Sequence, residues 1–476
     1  MVKRKGIFIC LISLLAAVSC AVNPVTGKHE LSFYSEQDEI ALGRETDAQI
    51  KQQYGIYQDA ALNQYVENIG RSLAPHTHRP HLAYHFAVLD SPVVNAFAAP
   101  GGYVYVTRGL LGMMNSEAEL AAVLGHELGH VNARHSIRRM SERMLTQIGL
   151  AVGSALNETF ADLAGAAGLG AQLLFLKYSR DDEREADQLG VEYARKGKYN
   201  PGEMISFFTS LQKMGDLSGG QSLPGFLSTH PLTSERIQNT GDMILAGDEK
   251  LQVKSKTYLR QIDGTVYGED PRQGFVEGKA FYHPEMRFFF IVPEEWQLQN
   301  SPSKVILAPE GGDAGVILQA EKSTDTPRAF GQERADRLEG RRFINEKETS
   351  VNGLKAYHQL CDLDRENSKN IRLRLSFIKY TSHIFTFMAF STTDRFSIFE
   401  DGFDRIVGSF NKLRDKSYLN RKPKRLKLTQ ADGRRTLQEV FQRMGMEKRI
   451  WAKFAVMNGM ELNQKPPEGK LIKIVR

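Results

Sequence analysis

The pentapeptide His126-Glu127-Leu128-Gly129-His130 restricts what this chain can fold into more than any other stretch. Ser116 followed by Glu119 forms a capping box, and the helix it opens is predicted to run through about Met140. Residues four apart lie on one helix face, so both imidazoles point at one spot. Gly125 and Gly129, also four apart, let another backbone approach that helix closely.

Zinc accepts neutral imidazole nitrogens, and a catalytic zinc takes three protein ligands and leaves one position open. Glu127 stands one step around the helix, beside such an ion rather than on it. There it can take a proton from the water that attacks a peptide carbonyl. A third ligand has to come from a second helix, and the acidic run Ser179-Arg180-Asp181-Asp182-Glu183-Arg184-Glu185-Ala186-Asp187 offers one. Glu183 and Asp187 share a face, whereas Glu185 points away from it. The competing reading is two ordinary histidines and a solvated acidic helix face.

These two motifs together resemble the metallopeptidases typified by HtpX and the CAAX prenyl endopeptidases, and most of all their periplasmic BepA-like branch. The resemblance covers roughly residues 22–250. It includes Asn23-Pro24-Val25-Thr26-Gly27, the run Asn95-Ala96-Phe97-Ala98-Ala99-Pro100-Gly101-Gly102, and Thr229-His230-Pro231. It implies His126, His130 and Glu183 as ligands of one Zn2+ per chain and Glu127 as general base. Asp187 matches a residue that donates a proton or orients a ligating imidazole. His230 and Arg236 are further catalytic candidates. His230 would bond the oxyanion or fill the open metal position in a resting state, and Arg236 would hold its segment or stabilise the same charge. Residues 95–100 and 103–107 flank a glycine pair as a hairpin, and its strand at Asn95, Ala96, Phe97 and Ala98 is expected to bind substrate along its backbone.

The N-terminus reads as an address. Lys3-Arg4-Lys5 precedes an apolar stretch over residues 7–18 that is too short to span a bilayer. It ends in Ala17-Val18-Ser19-Cys20, which resembles a bacterial lipobox. The resemblance implies a signal peptide over residues 1–19, a lipid on Cys20 and, because Ala21 is not Asp, the periplasmic face of the outer membrane of a Gram-negative cell. The net charge of +6 is too mild to argue for nucleic acid, and three cysteines define no disulfide framework.

The fold class expected is α+β multidomain. A mainly helical metallopeptidase core with a small sheet spans residues 20–260, and a linker spans 261–278. An α+β domain of unknown role, faintly like PsbP and Mog, spans 279–412, a basic linker 413–427 and a small unit 428–476. That unit shows Asn458-Gly459-Met460 and Pro467-x-Gly469-Lys470-Leu471 and resembles a LysM module, which implies peptidoglycan as a partner. Strands are expected at 287–292, 304–307, 314–319, 371–378 and 384–391, and helices near 329–339 and 398–409. Residues 145–176 read as buried helices or a flap over the site. His76, His78, His81 and His85 read as a loop rather than a second metal site, and Cys361 as a small buried hydrophobe.

The function expected is zinc-dependent endopeptidase action on unfolded or misassembled envelope proteins, as quality control. The alternative is a zinc-binding chaperone or peptidoglycan-tethered adaptor with a resting site. Maturation of a single lipidated or secreted partner is a third possibility.

Overall fold

The computed structural model describes residues 19–142, 178–217, 225–338, 340–364 and 369–476. The segment 145–176 and residues 1–18 of the address lie outside them. A two-stranded hairpin, β1 (Ser19–Val22) and β2 (His29–Ser32), leads into helix α1 (Glu36–Tyr54), which opens on a capping box between Ser35 and Asp38. Helix α2 (Ala60–Leu73) follows, N-capped by Asp59.

A three-stranded sheet in the order β3-β5-β4 comes next: β3 (His85–Leu89), β4 (Ala96–Ala99) and β5 (Tyr103–Thr107). Gly101 and Gly102 take φ of 73° and 95° in the β4–β5 turn, a region that disfavours side chains. Helix α3 (Arg108–Met113) then leads to α4 (Glu117–Asn132), which is buried along its whole length.

The helix expected to reach Met140 ends earlier. Arg134 adopts φ 54°, which breaks the helical path, and a new helix begins at residue 135. Helix α5 (Arg180–Lys196) crosses α4 at small residues: a Cβ on Gly125 would meet the Gly190 carbonyl at 3.0 Å, and one on Gly129 would meet Ala186 Cα at 3.1 Å. Helices α6 (Glu203–Leu217), α7 (Ser234–Asp242) and α8 (Ser255–Ile262) complete this half.

Strands dominate the second half. A four-stranded sheet, β16-β8-β7-β6, joins a seven-stranded antiparallel one in the order β12-β13-β14-β15-β11-β10-β9. Their elements are β6 (Phe275–Glu277), β7 (Ala280–His283), β8 (Phe288–Ile291), β9 (Trp296–Asn300), β10 (Val305–Pro309), β11 (Ala314–Lys322), α9 (Pro327–Asp336), β12 (Arg341–Val351), β13 (Leu354–Leu363), β14 (Ile371–Tyr380), β15 (His383–Thr392), α10 (Phe396–Gly408) and β16 (Asn411–Lys412). Phe281, Phe288, Phe290, Phe385, Phe387 and Phe403 fill the space between them.

The last unit runs β17 (Leu426–Gln430), α11 (Leu437–Arg443), α12 (Trp451–Met457) and β18 (Leu471–Val475), with the two strands paired antiparallel. The chain is thus a mixture of helix and several sheets. No described helix is long and apolar enough to cross a membrane.

Residues 426–475 share one apolar core with the first half of the chain, so this unit is docked rather than hung on a linker. Lys473 on β18 is fully buried, and its Nζ donates to the carbonyls of Gly112, Met113 and Met114 at 3.0, 3.2 and 2.8 Å. These are the carbonyls left open at the end of α3, where an ammonium is favourable.

Candidate metal centre

Helix α4 begins where Ser116 accepts from the Glu119 amide, but the Glu119 carboxylate turns to the Asn115 amide at 2.6 Å. The frame sets His126 and His130 one turn apart, with their Nε2 atoms 3.1 Å from each other. Two imidazole nitrogens this close need a proton or a cation between them.

Helix α5, opened by the Ser179–Asp182 capping box, brings Glu183 alongside. Its carboxylate oxygens lie 3.7 Å from His126 Nε2 and 3.6 Å from His130 Nε2. His230 closes the group, its Nδ1 2.9 Å from Glu183 Oε1 and 3.3 Å from His126 Nε2. Ligand atoms of His126, His130, Glu183 and His230 lie within 4.8 Å of one another, all buried, and they form the group among the described residues that could hold a metal. The donor set is imidazole and carboxylate, which suits zinc. His230, an alternative at the level of sequence, sits inside the group.

Glu127 is fully buried, and neither of its oxygens has a hydrogen-bond partner. Burial raises its carboxyl above the usual range, opposed by His230 and His126 nearby. Burial also holds His130 well below the ordinary imidazole value, which keeps it neutral.

Asp187 Oδ1 lies 2.9 Å from His126 Nδ1. Arg236 donates to both Asp187 oxygens at 2.7 Å, reaches Glu183 Oε2 at 2.7 Å, and donates to the Pro231 carbonyl at 3.1 Å. Burial alone would raise the Asp187 carboxyl, but Arg236 and His126 hold it below its ordinary value. The guanidinium of Arg236 is likewise committed to these partners. Its bond to the Pro231 carbonyl reaches the His230 segment, and its contact with Glu183 reaches the donor group.

Three neighbours escaped the sequence reading. His130 Nδ1 is 2.8 Å from His135 Nδ1, and His135 Nε2 is 3.1 Å from Glu185, the carboxylate expected to point away. Tyr178 stacks on the His130 ring with centroids 3.9 Å apart. His135 stands five residues beyond His130, a spacing that an unbroken helix would carry round to another face. The turn at Arg134 brings it back. With the helix expected to run on to Met140, no sequence signal placed His135 beside His130.

The segment expected to bind substrate is more enclosed than anticipated. Asn95, Ala96, Phe97 and Ala98 are all buried, with Ala96 and Ala98 in the main core and Phe97 in a separate cluster. Among the described residues, the backbone edge of β4 opposite β5 pairs with no other strand, and Val94 bridges to Gly225 at its start. A cavity of about 230 Å³, walled by Tyr178, Arg180, Arg184, Thr233 and Glu235, opens onto Glu183 and Arg236. His78 bonds Tyr193, His81 pairs with Glu36 and His85 stacks on Tyr103, all away from the centre. Cys361 is buried on β13.

Two crossing helices and the His230 segment thus gather the donor types that a catalytic zinc takes, with a carboxylate beside them. Residues 60–244 match peptidase family M48. It is similar to the beta-barrel assembly-enhancing protease of Yersinia pestis, 33% identical over 226 residues, covering 45% of this chain and 46% of the relative. The Escherichia coli (strain K12) protein of the same description is 30% identical over 224 residues, 45% of each chain. The mitochondrial metalloendopeptidase OMA1 of Schizosaccharomyces pombe is 28% identical over 245 residues, 49% of this chain and 68% of that one. The chain thus spans less than half the length of the first two relatives. Among solved structures, cyanobacterial PsbP is 17% identical with a TM-score of 0.25, covering 29% of this chain and 96% of that one.

Proposed function

We propose that this chain is a zinc-dependent endopeptidase that hydrolyses peptide bonds of unfolded or misassembled envelope proteins. We place it at the periplasmic face of the outer membrane, held by a lipid on Cys20. The observation that carries the reading is a buried carboxylate, Glu127, with no hydrogen-bond partner beside four convergent metal donors. Quality control of outer-membrane proteins is the role suggested by the relatives described as beta-barrel assembly-enhancing proteases.

His126, His130 and Glu183 would hold the ion. When bound, zinc supplies Lewis-acid polarisation of the scissile carbonyl and a lowered pKa for water. Glu127 takes the proton of the attacking water and delivers it to the leaving amine, its desolvated carboxyl raised toward the working pH. Asp187 fixes the ring of His126 through Nδ1, and Arg236 fixes Asp187. His135 and Glu185 do the same for His130. Substrate adds as a strand to the backbone edge of β4, which asks little of its sequence.

One observation favours the second reading, a zinc-binding chaperone or wall-tethered adaptor with a resting site. His230 lies within the donor group, where it would fill the position that water needs. The terminal unit's strand–helix–helix–strand order supports the LysM-like reading, with peptidoglycan as partner.

The test is degradation of unfolded casein by the chain lacking its lipid, as wild type and as Glu127→Gln. Peptidase action requires cleavage by the first and none by the second at equal metal content. If neither cuts but His230→Ala does, the resting-site reading holds. If all three are inert with metal bound, the peptidase proposal fails.

A further inference from the structure

Charge is distributed unevenly along this chain. Residues 421–476 hold fifteen Lys and Arg against five Asp and Glu. That excess of ten exceeds the +6 of the whole chain, so everything before it is net acidic. The fold gathers much of the excess at one pole of the terminal unit. Arg476 donates to Met444 Sδ at 3.5 Å, beside Arg443, and its backbone pairs with Arg425. Lys424 and Arg449 share the single carboxylate of Glu447, each at 2.6 Å. Lys453 lies over Tyr267, whose amide donates to the Lys424 carbonyl. Lys448 completes the pole, and all these cations except the half-buried Arg425 are exposed. Many like charges around one acid repel one another, so the surface is better satisfied by an anionic partner than by solvent alone.

We infer that this cationic pole is a docking surface for the carboxylates of peptidoglycan stem peptides, read by charge rather than by sugar shape. The inference rests on the proposed wall-facing role of residues 428–476 and names the surface and the chemistry. The placement of the N-terminal hairpin favours the wall over the bilayer that would hold the lipid. Asn23, three residues past Cys20, donates to the Ala133 carbonyl at the C-terminal end of α4. The terminal unit instead grips the α3 carbonyls just before the N-terminus of α4. The sixteen residues of α4 separate these two attachments by about 24 Å, roughly three screening lengths at physiological salt. An anionic polymer stacked beyond the lipid-bearing face fits that separation.

The test is co-sedimentation of the full chain, with Cys20→Ser to remove the lipid, on purified peptidoglycan sacculi. The same assay is run on sacculi whose carboxylates have been amidated and on phosphatidylglycerol vesicles. The triple variant Lys448→Glu, Arg449→Glu, Lys453→Glu is compared with Lys448→Arg, Lys453→Arg, which keeps the charge, and thermal melts check that both fold. The expected result is binding to native sacculi that falls about 100-fold in the charge-reversed variant. It is retained in the arginine variant, lost at about 0.5 M salt, and lost on amidated sacculi. Undiminished binding of the charge-reversed variant, or to amidated sacculi, overturns the charge-readout surface and leaves the LysM-like reading standing. No binding to native sacculi overturns both. Charge-dependent binding to vesicles without binding to sacculi overturns the wall partner in favour of a membrane.

Discussion

Lys473→Met tests whether the terminal unit is part of the peptidase fold. The ammonium makes three bonds of 2.8–3.2 Å to the closing carbonyls of α3 and lies in the field of Glu119, the third residue of α4. Burial lowers the Lys473 ammonium and raises the Glu119 carboxyl, each opposing the attraction between them. The native Lys473 therefore stabilises less than its contacts suggest, but removing it leaves three carbonyls without their donor and takes a cation from the field of Glu119, whose carboxylate keeps the Asn115 amide. Leaving three buried acceptors unmet, each toward the low end of about 1–3 kcal/mol, costs about 3–5 kcal/mol. At about 2 °C per kcal/mol for a large cooperative unit, the melting temperature should fall by about 6–10 °C. Urea denaturation followed by fluorescence and by retained activity should show the peptidase half and the terminal unit losing stability in one transition. Adding Glu119→Gln to Lys473→Met should recover more than about 1 kcal/mol, because a buried acid that has lost its nearby cation is replaced by a neutral amide. A loss below about 1 kcal/mol, or a separate early transition that leaves the peptidase half unchanged, would refute the reasoning.

Gly129→Ala puts a Cβ 3.1 Å from the Ala186 backbone, which cannot yield, so it should cost about 1–3 kcal/mol and weaken metal binding measured by competition with a chelating dye. Asp187→Asn should keep the fold yet weaken zinc binding about 10–100-fold, because the partner of His126 Nδ1 is altered; unchanged affinity in the same assay would remove it from that role. His283, at the end of β7, is held by burial down to about 4, below the ordinary imidazole value of 6.5. A folded-state value below the unfolded one means the stabilisation is complete above pH 6.5 and is lost as pH falls from there toward 4. The sheet half should thus lose up to about 3 kcal/mol on acidification at about 1.4 kcal/mol per pH unit. His283→Gln should flatten that dependence in melts run between pH 7 and 4.

The helix that carries His126 and His130 was legible because its signals are local: a cap at Ser116, histidines four apart, and glycines that open one face. Glu183 followed from the same periodicity on α5. His135 and Glu185 did not, since they reach His130 only through the left-handed turn at Arg134, which no spacing rule anticipates. Several strands of the second half were read from their apolar runs. β12 was not, because Arg341–Val351 is exposed almost throughout at a sheet edge, with a bulge at Phe343, and so lacks alternation. The docking of the last unit was hidden for a similar reason. Lys473 within Leu-Ile-Lys-Ile-Val reads as the solvent-facing member of a strand, and only the open carbonyls of α3 explain its burial.

The most direct measurement of the central claim is elemental analysis of the purified full chain, as wild type and as His130→Ala, after dialysis against trace zinc. The account requires close to one zinc per chain in wild type, removable by chelation together with casein cleavage and restored with it, and a large loss of zinc in His130→Ala. Wild-type protein that cleaves casein without zinc, or zinc that persists undiminished in His130→Ala, would contradict it.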